Sequence, residues 1–403
     1  MITADPRDAA DQRPLAGVRA VEMGHVAAGP FAGMLLADLG ADVVKVEPPT
    51  GDMMRNWAPI VTDETGESFS HNFASLNRNK RSVAADFKDP EDLRKVKGLI
   101  EAADIVVENY RPGVLGRFGL AYEQVSEGHR GLVYASISGF GQTGPYRNLG
   151  AFDVVTQAMS GMMSVTGTEE GEPVKAGVPI ADFATGLYAV LTAIAYLPSV
   201  RETGRSIHLD TPMLDCMLAI SALQTSEYWG SGKSPEMLGT RHPRNAPYQM
   251  FKARDRELAI AAGNEKLWVS LCELLELPDL PTDPRFVSQT DRVANQVELE
   301  SILNARLAEK DAEVWVAMLR ERGIPVSPLN TFADILNDPA VVDSGLIREM
   351  AMPVAHSTST TVYPVRDGRA GPRLDLAPPR LGEHNDEVTA DWGVEVPADE
   401  ELV

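Results

Sequence analysis

Apolar positions near the amino terminus fall into blocks of alternating character. Val18 to Glu22 is a short β-branched run, Leu35 and Leu36 lie in a longer apolar stretch, and Val43, Val44 and Val46 form a second run. Pro30 suits the first turn of an intervening helix and Gly40 its end, so the pattern predicts a β-α-β unit and a parallel sheet. The alternation continues, with a helix predicted over Asp89–Ala102 and strands over Asp104–Glu108 and Leu132–Ile137. Strands alternating with helices indicate an α/β domain.

From Asp182 to Val200 the chain is apolar nearly all round, which predicts a long buried helix with Asp182 as its N-cap. Beyond Ser226 the texture changes. Two short strands are expected around Met250 and over Leu258–Ala261, with amphipathic helices at Lys266–Leu275 and Ala312–Arg322. The tail holds turn formers at 323–328 and 378–384. The division expected is 1–225 as a large α/β domain, 226–330 as a small α+β domain, and 331–403 as a segment returning to the large one.

A length of 403 residues supports two cores. Lys and Arg total 37 against 58 Asp and Glu, a net charge of −21, which argues against nucleic acid and anionic membranes as partners. An anionic ligand would need a local basic patch. Cys216 and Cys272, the only two cysteines, sit in apolar stretches; buried thiols and a reducing cytoplasm are expected. The polar first dozen residues do not form a secretory signal, and no apolar run is expected to reach membrane-spanning length. His242 has no second histidine or cysteine at ligand spacing, so no metal site is expected.

Parallel sheets bind ligands beyond the carboxyl ends of their strands, which marks His25–Gly29 and Glu47–Asp52 as candidates. Gly24, Gly29 and Gly33 are too widely spaced for a dinucleotide fingerprint, so no nicotinamide cofactor is indicated. Asp153 and Asp182 each precede an apolar helical stretch, where a carboxylate caps amides and the local field favours its charge. The loop from Gly139 to Gly144 could present amide donors to an oxyanion or be an ordinary turn. Two basic clusters, Arg78-Asn79-Lys80-Arg81 and Asn109-Tyr110-Arg111-Pro112-Gly113 with Arg117, are either phosphate sites or solvated surface.

The block from Val21 to Pro48, the Asp153 and Asp182 segments and the Ala377–Glu387 stretch occur in an order that resembles the class III CoA-transferase family. The resemblance implies a large Rossmann-like parallel-sheet domain plus a smaller α+β domain, in an interlocked homodimer. It implies that Asp182 is the nucleophile on an acyl-CoA, passing through aspartyl anhydride and aspartyl-CoA thioester intermediates. Asp153, Gly139, Gly141 and His25 would support it. Val26, Ala85, Asn109, Tyr110, Val114 and Arg117 match CoA-contacting positions, with Arg78, Lys80 and Arg111 as further phosphate candidates. The loop carrying Arg241, His242 and Tyr248 would cover the acceptor. A CoA thioester is then substrate, and no tightly bound cofactor is implied.

Where the racemase branch of the family holds a histidine, this chain has Phe152, which cannot exchange a proton, so transfer is favoured over racemisation. An acyl-CoA racemase or epimerase remains the rival, and a catalytically silent acyl-CoA-binding protein a third reading. Ala27, Pro48 and Gly150 stand where formyl-CoA transferases hold glutamine, arginine and lysine, which points away from the formyl and oxalate pair. A small organic or dicarboxylic acceptor is expected, with Arg55, Arg241 and Arg244 as candidate holders of a second carboxylate.

Overall fold

The computed structural model describes residues 13–354, 357–366 and 374–394. Six parallel strands form its main sheet: β1 (Arg19–Met23), β2 (Asp42–Glu47), β3 (Lys80–Ala84), β4 (Ile105–Glu108), β5 (Val133–Ser138) and β6 (Ile207–Pro212). Their order is β3-β2-β1-β4-β5-β6, so the winding reverses between β1 and β4. Val21 is paired with Val44 on one side and Val106 on the other.

Both sheet faces are covered, which is why these strands read as nearly continuous apolar runs. One face, with Ala20, Val43, Val107 and Ala135, packs against helices α1 (Ala28–Asp38) and α4 (Ile180–Thr203). The other, with Val21, Val44, Val83 and Val106, packs against α2 (Pro90–Glu101) and the final helix Asn385–Trp392. Asp89 caps α2 with bonds from the amides of Glu91 and Asp92. A short helix α3 (Asp153–Met159) precedes α4.

Four sequence expectations need correction. Helix α4 starts at Ile180 with Pro179 at its N-cap, so Asp182 lies inside the first turn. The helix is also not buried all round: Ala189, Val190 and Ala193 face the sheet, whereas Leu187 and Leu191 are exposed, the latter by 66%. By length and composition this 24-residue helix is long and apolar enough to cross a membrane, contrary to the expectation for the sequence, although its inner side packs on the sheet. The fourth concerns the small domain.

Chain contacts separate Met1–Met162, Lys175–Gly232 and Ser344–Val403 from a second unit of Met163–Val174 and Lys233–Asp343. The expected limits of 226–330 differ for physical reasons. Residues 226–231 complete the helix Ala222–Ser231 of the first unit, and in the second the Gly239 amide donates to the Gly167 carbonyl at 3.0 Å, tying in the distant 163–174 segment. The second unit is built on three antiparallel strands, β7 (Tyr248–Lys252), β8 (Glu257–Ala261) and β9 (Val326–Pro328). Its core joins Phe251, Leu258 and Ile260 to Trp268, Leu271, Leu303 and Trp315. Cys216 and Cys272 are both free thiols and buried.

Close packing makes some glycines obligatory. A Cβ on Gly33 would stand 2.3 Å from Glu22 Oε2, whereas one on Gly230 would meet nothing within 4 Å. Gly33→Ala is expected to lower unfolding free energy by about 1–3 kcal/mol, as overpacking does. Gly230→Ala should be neutral or stabilising, by roughly 0.5–1 kcal/mol at most. Paired denaturant melts check both.

Candidate active site at the reversal of the sheet

In open α/β sheets the crevice for ligands opens where the strand order reverses. Here two loops meet there, Gly24–Ala27 after β1 and Asn109–Tyr110 after β4. Asn109 latches them: its Oδ1 accepts the His25 amide at 2.9 Å and its Nδ2 donates to the His25 carbonyl at 2.9 Å. A Cβ on Gly24 would collide with Asn109 at 2.9 Å, and one on Gly29 would crowd it at 3.1 Å. His25 Nε2 lies 3.2 Å from the Tyr110 hydroxyl, and burial lowers the pKa of its ring. Val26 has φ of 65°, a conformation unfavourable for a β-branched residue, and its amide points at both carboxylate oxygens of Asp52, each at 3.2 Å.

Behind these loops lies a buried polar brace. Glu22 gives Oε1 to Lys45 at 2.8 Å and Oε2 to Lys80 at 2.6 Å. Lys45 also donates to the Gly24 carbonyl at 2.9 Å and pairs with Asp52 at 3.0 Å. Lys80 donates to the Pro30 carbonyl at 2.8 Å and to Asn77 Oδ1 at 2.9 Å. Burial opposes the charge on Lys45, but Glu22 and Asp52 outweigh it and its pKa is raised. Lys80 has a share of one carboxylate and two neutral oxygens; burial brings it down to about 8, and the Lys45 charge pushes the same way. Burial also opposes the charge of Asp52, yet Lys45 and the amides of Met54 and Val26 hold its pKa below the usual carboxylate range.

The second constellation is formed by α3 and α4. Asp153, the first residue of α3, accepts the Ala181 amide on Oδ1 at 2.9 Å and so caps the first turn of α4 rather than its own helix. Its Oδ2 accepts Gln157 Nε2 at 2.7 Å, and Gln157 Oε1 accepts the Ala176 amide at 2.9 Å. Asp182, half-buried in that turn, is pushed up to about 7, first by burial and then by the charge of Asp153. Its position near a helix N-terminus does not keep it as acidic as the sequence suggested. At neutral pH it is divided between carboxylate and acid. A Cβ on Gly139 would stand 2.2 Å from Ala151 Cβ, so a side chain has no room there. Gly141, at φ of 90°, donates its amide to Ser138 Oγ at 2.9 Å.

A sequence model of CoA-transferase family III matches residues 15–385. The chain belongs to this family. It is 39% identical to a succinyl-CoA:glutarate CoA-transferase of Mus musculus over 380 residues, 94% of this chain and 86% of the relative. It is 36% identical to a succinate–glutarate CoA-transferase of Agrobacterium fabrum, covering 94% and 95% of the two chains. A crystal structure of a CaiB/BaiF family protein from Brucella suis superposes with a TM-score of 0.85 at 38% identity, covering 94% of this chain and 99% of that one.

For a class III CoA-transferase the placement of the basic residues matters, and it revises the sequence reading. Arg78 is buried and forks onto Asp38, and Lys80 is fully buried in the brace, so neither presents a cation to a phosphate from outside. Arg55 is held by Glu47 at 2.8 and 2.6 Å and lies over the Phe73 ring, which removes it as a holder of an acceptor carboxylate. Arg111 and Arg117 remain exposed, Val114 is half-buried and Ala85 is buried after β3. Arg111 lines a cleft of about 460 Å³ with Glu108, Tyr134, Ser136, Gln142 and His208, where burial pushes Glu108 up to about 7.

In the second unit, Arg241 pairs with Glu169 and Glu300, and the His242 and Tyr248 rings lie 5.0 Å apart. Their loop is tied down by Gln296 to the His242 carbonyl at 2.8 Å and by buried Arg292 to the Ala246 carbonyl at 2.9 Å. Sequence reasoning passed over Glu22, Lys45 and Gln157, and held Asp52 only as the end of the Glu47–Asp52 segment. For Glu22 and Lys45 the available signal was a charged residue inside each of two buried apolar strands.

Replacing Asp153 with Asn keeps an oxygen for the Ala181 amide but removes the neighbouring charge. The Asp182 carboxyl, at about 7 in the native chain, is expected to titrate lower in Asp153→Asn, as followed by carboxyl-carbon NMR. An unchanged midpoint would count against the electrostatic coupling.

Proposed function

We propose that this enzyme moves CoA between small dicarboxylic acids, with Asp182 carrying the activated acyl and CoA groups in turn. The observation that carries this reading is a half-buried carboxyl, set in the first turn of a helix that a second carboxylate caps. Succinyl-CoA is the donor and a four- or five-carbon diacid the acceptor, as the names of the relatives suggest. The ionised Asp182 attacks the thioester carbonyl; the C–S bond breaks, CoA leaves as thiolate, and a mixed anhydride remains. The thiolate then attacks the aspartyl carbonyl, which releases the donor acid and leaves an aspartyl-CoA thioester. Acceptor carboxylate attacks that thioester to form a second anhydride, and the returning thiolate takes the new acyl group and frees Asp182.

Both intermediates hydrolyse in water, so the chemistry needs an enclosed site and amide donors at each oxyanion; Gly139 is the candidate donor, while Gly141, its amide held by Ser138 Oγ, fixes the loop. Val26, Ala85, Asn109, Tyr110, Val114, Arg111 and Arg117 border the CoA path, and His25 shapes it. Phe152, exposed by 68%, supplies no acid–base group beside Asp153, which favours transfer over racemisation. A homodimer completes the reading and would cover the exposed apolar side of α4, including Leu187 and Leu191.

Mass spectrometry of CoA thioesters after mixing the protein with succinyl-CoA and glutarate, mesaconate, citramalate or oxalate tests this. A new thioester is expected with at least one five-carbon diacid and none with Asp182→Ala. Exchange that survives in the variant would remove Asp182 from the chemistry. Because the attacking form is the carboxylate, transfer should rise with pH through about 7 and fall about tenfold per unit well below it. Initial rates between pH 5 and 8 measure this.

A further inference from the structure

We propose that Lys80 is a positioning residue for the acyl-CoA donor, acting from behind the Gly24–Pro30 segment through Glu22 and the Pro30 carbonyl; this rests on the transferase reading above. The segment is held at both ends by the two arms of one carboxylate. Lys45 fixes the Gly24 carbonyl at 2.9 Å and Lys80 the Pro30 carbonyl at 2.8 Å, while Glu22 joins the two ammonium groups. Between these anchors lie His25, Val26 and Ala27 at the mouth of the sheet crevice. Val26 keeps its unfavourable backbone only while its surroundings fix it.

The Lys80 anchor depends on proton count. As an ammonium it has three N–H groups for three oxygens: Glu22 Oε2, the Pro30 carbonyl and Asn77 Oδ1. As an amine it has two, so one contact is lost. The charged groups facing it are Glu22 from β1, Lys45 from β2 and Asp52 from the loop after β2. Lys45 is supported by two carboxylates and Lys80 by a share of one, so Lys80 gives up its proton first, at about 8. Acyl-CoA thioesters carry no group that titrates between pH 7.5 and 9, so a change in donor KM there reports on the protein.

The experiment measures kcat and the KM values for succinyl-CoA and for the acid at intervals between pH 7 and 9.5. Donor KM of the native enzyme is expected to rise on the order of three- to tenfold, the weight of one buried hydrogen bond. Acceptor KM and kcat should stay level above the Asp182 limb. Lys80→Met, which keeps the length without the charge, should show the raised donor KM already at pH 7 and no further rise. A thermal melt of the variant verifies its fold, and the native profile stands as a test even where the variant is unstable. A flat native donor KM, or a Met variant that keeps the slope, would overturn the role of Lys80 alone. Complete absence of CoA exchange at every pH would overturn the transferase reading and this inference with it.

Discussion

One carboxylate shared by two buried lysines sets the position of almost everything at the mouth of the main sheet. Isolated, any of these three charges would be very unfavourable in the interior, and removal of one partner from a buried pair typically costs about 3–5 kcal/mol. Glu22 satisfies Lys45 with one oxygen and Lys80 with the other, and α1 leaves room for it only because residue 33 lacks a side chain. The brace continues sideways. Asp52 joins Lys45, and its own amide reaches Glu47 Oε1 at 3.0 Å; Glu47 in turn takes Arg55 and the Ser82 hydroxyl. Strands β1, β2 and β3 and the loops that follow β1 and β2 are thereby one polar unit inside an apolar sheet.

The α3–α4 constellation solves the opposite problem. The brace stabilises charge by surrounding it with opposite charge and donors, whereas Asp182 is left with burial and a like-charged neighbour. A carboxyl in that setting is more basic and less hydrated than an exposed one. Asp153 has two functions in consequence: it orders the turn that presents Asp182 and makes that residue harder to ionise. Gln157, bonded to both Asp153 and the Ala176 amide, holds the arrangement from the far side.

How much of this was legible in the sequence depended on whether the signal was periodic. The strands after Val18 and Asp104 and the helix after Asp89 were placed within a residue or two because apolar spacing and a capping residue identify them locally. The cluster Arg78–Arg81 at the sheet edge reads in sequence as a phosphate site or solvated surface, and Arg78 and Lys80 are neither, since adjacency along the chain records charge but not burial, and the partners Asp38 and Glu22 lie 40 and 58 residues away. For the same reason Arg55 looked available until Glu47 was seen beside it. Asp182 and Asp153 were legible as candidates, but not the exchange in which one caps the other's helix, because that contact spans 28 residues. The apolar character of α4 was correctly read; its exposed side was not, because composition alone does not say how much of a helix one chain can cover.

The last helix of the described chain has a bearing on how the protein is made. Val388 and Trp392 complete the layer over the sheet face that holds Val21, Val44 and Val106, and the Trp392 indole donates to Asp42 Oδ2 at 2.7 Å. During synthesis those early strands leave the ribosome well over 250 residues before the helix that closes them, while residues 233–343 are already complete. The sheet therefore waits with an unfinished apolar face through most of translation. Truncation near the carboxyl end therefore uncovers the part of the sheet that is made first.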